Sequence, residues 1–214
     1  MGEESALKIL HLDSSVLSEN SASRALTRKV AEAWHAAVPT SVVRYRDLGA
    51  QAPQHLSPDY FAIGATPAEQ RSADQTSEMK LSDALIEEFL AADALIIGAP
   101  LYNFTIPSGL KAWIDRVVVA GKTFKYSAEG PVGLAGDKKV VIVATSGGKY
   151  ADSPVDFAHV GHLKQVLNFL GLKDVTVVRA AGLNISPENR VAAIAAAEAE
   201  IAGLFAGEKK TAAA

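Results

Sequence analysis

The 214-residue chain contains no cysteine. That excludes disulfides, thiolate catalysis and any cysteine-ligated zinc or iron–sulfur centre. Histidine is scarce as well, at five residues, and only His159 and His162 stand close together. Their i,i+3 spacing places them on one helix face, but no further ligands lie nearby, so they read as ordinary helix or interface residues rather than metal ligands. No apolar run reaches membrane-spanning length. The first apolar run, Leu7–Leu12, is interrupted by Lys8 and His11 and closed by Asp13, which is unlike a secretion signal. Excess charge of one sign is also missing: the formal net charge is −3 and no dense Lys/Arg stripe occurs, which argues against nucleic acid or an anionic membrane as the partner. The expectation is a cytoplasmic protein that handles small molecules. Neither the G-x-G-x-x-G dinucleotide fingerprint nor the P-loop pattern is present.

What remains is an ordinary globular composition, 49 % apolar and 21 % charged, at a length that suits one domain with a full core. Residues 1–206 are expected to form that domain, with 207–214 a frayed tail that has little to bury. Short apolar runs alternate with helical patterns. Strands are expected at Leu7–Leu12, Ser41–Tyr45, Ala94–Gly98, Lys139–Thr145 and Val175–Ala180. Helices are expected at Ser21–Val38, Thr66–Leu90, Ser108–Val119, Val155–Leu170 and Pro187–Phe205. A strand followed by a helix, five times over, implies α/β architecture: a parallel sheet covered on both faces, a three-layer sandwich. Of the two common doubly wound orders, five units at this length favour the flavodoxin-like order 2-1-3-4-5. Two inserts break the alternation. One is the Pro/Gly/aromatic stretch Asp47–Ala65, readable as a functional loop or as a surface elaboration or dimer contact. The other is Ala120–Asp137, where Thr123–Tyr126 and Val132–Leu134 flank turn residues and predict a small hairpin.

Three strand-end loops carry the chemistry. After the third strand comes Ala99-Pro100-Leu101-Tyr102-Asn103-Phe104-Thr105-Ile106-Pro107, with two aromatics and an amide on a proline-stiffened loop suited to cradling a flat ring. After the first strand, Ser15, Ser18, Asn20, Ser21 and Ser23 crowd a helix start. Taken alone, helix capping accounts for those serines. At the carboxyl edge of a parallel sheet they also make an anion site, with Ser15, Ser21, Ser23 and the amides of Ala22 and Ser23 as donors and Arg24 as a candidate counter-charge. After the fourth strand, Thr145-Ser146-Gly147-Gly148 offers hydroxyls and close backbone approach; alone it is a generic turn. In the order 2-1-3-4-5 these three strands are adjacent, so the loops converge on one crevice. A cofactor with a phosphate tail and a planar head fits it, and FMN fits best.

These residues, with Leu110-Lys111-Ala112-Trp113-Ile114-Asp115, Gly121-Lys122-Thr123-Phe124-Lys125-Tyr126 and Gly130-Pro131, make the chain resemble the FMN-dependent NADH azoreductases of the flavodoxin-like quinone/azo reductase group, from about Leu7 to Phe205. The resemblance implies that Ser15, Ser21, Ala22 and Ser23 bind the phosphate and ribityl region. It implies that Pro100, Leu101, Tyr102, Asn103 and Phe104 wrap the ring, and that Thr145, Ser146, Gly147 and Gly148 complete its polar edge. Phe104, Tyr126 and Phe169 are implied at the substrate pocket, with either Tyr126 or Phe169 reaching across a homodimer interface. The implied activity is two-electron, ping-pong hydride transfer from NADH, or NADPH, through FMN to quinones and azo compounds, with no catalytic side chain and no metal. Several members have arginine where this chain has Ser146. A non-enzymatic electron carrier of the same fold is the competing reading.

Overall fold

The computed structural model describes residues 6–205; the expected frayed tail lies outside them. Five strands form one parallel sheet: β1 (Lys8–Asp13), β2 (Val42–Asp47), β3 (Ala94–Pro100), β6 (Lys139–Ser146) and β7 (Val175–Ala181). Their spatial order is β2-β1-β3-β6-β7, which is 2-1-3-4-5 when the sheet strands alone are numbered. The two remaining strands, β4 (Phe124–Ser127) and β5 (Gly130–Gly133), pair antiparallel as the expected hairpin within the second insert.

Alternation along each strand sorts side chains between two helical layers. Ile9, Ile96, Val141, Val143 and Val178 pack on one face against α1 (Ala22–Ala37) and α7 (Pro187–Leu204), through Leu26, Val30, Trp34 and Ile201. Leu10, Leu12, Leu95, Ile97, Val140 and Ile142 pack on the other face. There they meet Leu85 and Phe89 of α3 (Ala73–Ala91), Leu110 and Trp113 of α4 (Ser108–Val117), and Leu163 and Leu167 of α6 (His162–Phe169). The central strand β3 is buried at every residue, as a strand covered on both faces must be.

Helix boundaries differ from expectation where capping chemistry decides them. The helix expected from Thr66 begins at Ala73 instead, because Ser72 and Gln75 form a capping box: the Ser72 hydroxyl accepts from the Gln75 amide and the Gln75 side chain accepts from the Ser72 amide. The long first insert holds a short helix, α2 (Pro58–Ala65), started by the Ser57 cap and by Pro58. The helix expected at Val155–Leu170 opens as a single turn, α5 (Pro154–Asp156), and passes through a π-helical turn, Phe157–Gly161, before becoming α6. That turn buries His159, whose Nε2 lies 2.9 Å from the carbonyl oxygen of Ala99. Burial lowers the pKa of His159, so the ring is held neutral and donates to that carbonyl.

Among the described residues, no helix is long and apolar enough to cross a membrane, and no group of three or more His, Asp or Glu is arranged to hold a metal ion.

Candidate functional site at the carboxyl edge of the sheet

The loops after β1, β3 and β6 do converge. They border a crevice of about 200 Å³. From the first loop it is lined by Ser15, Leu17, Asn20, Ser21 and Ala22; from the second by Pro100, Leu101 and Tyr102; from the third by Thr145, Ser146 and Gly147. The loop after β7 adds Leu183 and Asn184, and α7 adds Arg190.

Direct bonds fix these loops to one another. Ser15 Oγ and the Tyr102 hydroxyl are 2.9 Å apart, joining the first loop to the second. The Leu101 amide donates to the Thr145 carbonyl at 2.7 Å, joining the second to the third. The amides of Gly182, Leu183 and Asn184 donate to the carbonyls of Gly148, Ser146 and Gly147, joining the third to the fourth. Approach here is too close for side chains: a Cβ on Gly147 would lie 2.7 Å from Asn184 Nδ2, and one on Gly148 would lie 2.8 Å from the Tyr150 ring.

At the start of α1 the Ser21 hydroxyl caps the helix by accepting from the Arg24 amide, and it lies 3.0 Å from the Ser23 hydroxyl. The amides of Ala22 and Ser23 sit in the first turn, where helix geometry gives them no intrahelical acceptor. Ser21 and Ala22 face the crevice, whereas Ser23 is fully buried behind them.

Arg24 does not serve the crevice as a counter-charge. Its guanidinium grips Asp47 in a two-pronged pair at 2.8 and 2.6 Å and donates to the Ser15 carbonyl. The parallel register that sets Asp13 beside Asp47 brings the acid to it. Arg24 lowers the pKa of Asp47 in turn. Beside it, burial alone would raise the buried Asp13 carboxyl. The nearby His11 ring, 3.5 Å away, and the hydroxyls of Thr27 and Tyr45 outweigh that and hold it below its usual range. Arg24 is thus a clamp that shapes the first loop.

The tip of the second loop is a strained turn. Tyr102 and Thr105 exchange backbone hydrogen bonds at 3.0 and 3.1 Å, and both residues between them have left-handed backbones, Asn103 at φ 47° and Phe104 at φ 67°. This is a two-residue hairpin turn of the type that requires positive φ at both positions. It leaves Phe104 62 % exposed, its ring edge-on to Tyr150 with centroids 6.3 Å apart. Asn103 and Phe104 therefore stand outside the crevice lining, and so do Tyr126 and Phe169. Those two flank Phe124 of the hairpin, with ring centroids at 5.4 and 4.7 Å, and Tyr126 is 75 % exposed. Leu17, Leu183, Asn184 and Arg190 are lining residues that the motifs did not indicate. The loop after the fifth strand was the missed signal, because that strand neighbours the fourth in the order already expected.

A doubly wound α/β sheet with a polar crevice at the carboxyl ends of adjacent strands defines a binding protein for a phosphate-bearing planar ligand. The comparisons sharpen this: residues 7–204 match the family model described as flavodoxin-like fold, and the chain belongs to that family. It is 55 % identical to FMN-dependent NADH:quinone oxidoreductase 1 of Pseudomonas putida, over 94 % of this chain and 99 % of the relative. It is 54 % identical to FMN-dependent NADH:quinone oxidoreductase 2 of Pseudomonas aeruginosa, with the same coverage. Its fold is similar to the crystal structure of an azoreductase from Bacillus anthracis, with a TM-score of 0.83 and 28 % identity over 95 % of this chain and 99 % of that one.

Proposed function

We infer that residues 1–206 form one functional unit, an FMN-dependent NADH:quinone oxidoreductase that also reduces azo compounds. The observation that carries this is the convergence of three loops, one at a helix start and one bearing Tyr102 and the exposed Phe104, on a single crevice. The names of the relatives at 55 and 54 % identity agree with it.

The residues present fit FMN. At one end of the crevice the Ser21 hydroxyl and the amides of Ala22 and Ser23 would hold the phosphate. Ser15, already paired with Tyr102, would border the ribityl chain. The backbones of Pro100, Leu101, Tyr102 and Asn103 would hold the ring, and those of Thr145, Ser146, Gly147 and Gly148 its polar edge. The Ser146 hydroxyl, where several family members carry arginine, donates to the Gly148 carbonyl at 2.8 Å and stiffens that edge.

The chemistry FMN supplies when bound is the exchange of two electrons between NADH and a quinone or azo acceptor. The protein's part is binding and orientation. Phe104, Tyr126 and Phe169 would stack on the flat donor and acceptor and exclude water. Tyr126 and Phe104 are exposed in a single chain, and a homodimer that shares the pocket between two copies would cover them. The 214 residues hold no cysteine for a disulfide, in keeping with a cytoplasmic setting. An electron carrier of the same fold is not favoured, because the relatives are named as oxidoreductases.

The test is the visible spectrum of the purified protein without oxygen, before and after NADH and then after a quinone. A flavin spectrum that bleaches with NADH and returns with quinone is expected. A flavin spectrum that NADH leaves untouched points to a carrier, and a protein that stays colourless after incubation with FMN ends the flavin reading.

A further inference from the structure

A phosphate held only by serine hydroxyls and helix-start amides has no side-chain cation beside it. Arg24, the cation adjacent to those serines in sequence, is bound to Asp47 and the Ser15 carbonyl. A different arginine lines the crevice. Arg190 closes the first turn of α7, half-buried, and its guanidinium has no hydrogen-bond or ion-pair partner among the described residues. Arg179, the other arginine near this edge, is paired with Asp156 at 2.6 Å.

The packing of α7 on α1 brings Arg190 to the phosphate end of the crevice. The two helices lie side by side on one sheet face, and Lys29 of α1 reaches Glu198 of α7 at 3.4 Å. Two turns back from Lys29 is Ala22, and about two turns back from Glu198 is Arg190. The side-by-side helices therefore bring Arg190 level with the first turn of α1, where the amides of Ala22 and Ser23 lack acceptors. Arg190 and Ala22 border the same crevice.

We propose that Arg190 is the residue that selects the phosphorylated flavin, supplying the counter-charge to the phosphate across the crevice from Ser21. The proposal rests on the flavin reading above and adds to it which cation the chain uses. A guanidinium that pairs with one phosphate makes a charge-assisted hydrogen bond, and its loss costs on the order of 10- to 100-fold in affinity.

The experiment titrates the full chain, freed of flavin, with FMN and separately with riboflavin, which lacks the phosphate, following flavin fluorescence. In Arg190→Gln the Kd for FMN is expected to rise about 10- to 100-fold. The Kd for riboflavin is expected to stay within roughly 2-fold, because the substitution touches no ring contact. Arg190→Lys should recover part of the difference. Arg28→Gln, at an exposed arginine further along α1, should leave both constants unchanged. An Arg190→Gln protein that loses FMN and riboflavin equally, or that binds FMN as the parent does, overturns the assignment. So does an Arg28→Gln protein that loses the preference for FMN. A parent protein that binds riboflavin as tightly as FMN refutes the role of Arg190 while leaving the flavin reading intact, and one that binds neither ends both.

Discussion

The turn at the tip of the second loop predicts an inverted order of stability between two substitutions at one position. Phe104 holds φ at 67° with a bulky side chain. A left-handed backbone costs a residue with a Cβ about 1–2 kcal/mol, whereas glycine adopts it freely and loses about 0.5–1 kcal/mol through its greater unfolded-state freedom. The Phe104 ring is 62 % exposed and has one edge contact, with Tyr150, so either truncation removes the same small packing term. The difference therefore isolates the backbone. In an ordinary strand alanine is the more stable of the pair. Here Phe104→Gly should exceed Phe104→Ala by about 0.5–1 kcal/mol. For a domain of this size that is roughly 1–4 °C in Tm. Thermal or urea unfolding of the flavin-free proteins measures it. If Phe104→Ala unfolds at the higher temperature, the turn is not strained and the conformation has no cost to explain. Both variants should also lose flavin affinity or turnover, since a conformation held at a cost at the mouth of a crevice implies a use for the ring there.

Three further outcomes are expected. Replacing Ser21 and Ser23 together by alanine should release FMN on dilution and weaken α1 by about 1 kcal/mol through the lost cap; equilibrium dialysis that finds unchanged affinity would put the phosphate elsewhere. Gly133→Ala places a Cβ 2.1 Å from the Leu170 carbonyl carbon, a backbone atom that cannot swing aside. The hairpin should pull away, at a cost of about 1–3 kcal/mol, and become the first site of limited proteolysis; an unaltered cleavage pattern and Tm would refute the docking. Finally, burial lowers the pKa of His159 and His162 below the ordinary 6.5. The unfolded chain therefore binds protons that the folded one does not, and stability should fall as pH drops from about 6.5 through their folded pKa values. Asp13, Asp47 and Glu88 are held below their usual range, so their contribution is lost only at more acidic pH. Urea midpoints at pH 7 and 5.5 probe the histidine window while staying above the carboxylate one, and equal midpoints would contradict the buried, neutral state of His159.

Much of this was legible in the chain because burial leaves a plain mark. A strand covered on both faces, such as Ala94–Pro100, must be apolar throughout, and five strand patterns alternating with helical ones pointed to the order of the sheet and so to the meeting of three loops. Interactions between residues far apart in sequence were not legible. Arg24 sits beside the serines in sequence, yet its partner Asp47 arrives through strand register. Arg190 and Asn184 carry no motif and reach the crevice only because β7 flanks β6 and α7 flanks α1. The start of α3 turned on a reciprocal pair of side-chain bonds, Ser72 with Gln75, that apolar periodicity cannot reveal.

The hairpin β4–β5 is spliced into the crossover between β3 and β6 and touches the rest of the molecule through few contacts: Gly133 against Leu170, the Ala135 amide on the Leu170 carbonyl, and Phe124 on Phe169. Its outer residues, Tyr126 among them, are largely exposed. A lineage could therefore lengthen, shorten or recolour this appendage while the scaffold beneath stayed fixed. With Tyr126 at the substrate pocket, as proposed above, grafting hairpins between relatives would exchange acceptor preference as a unit.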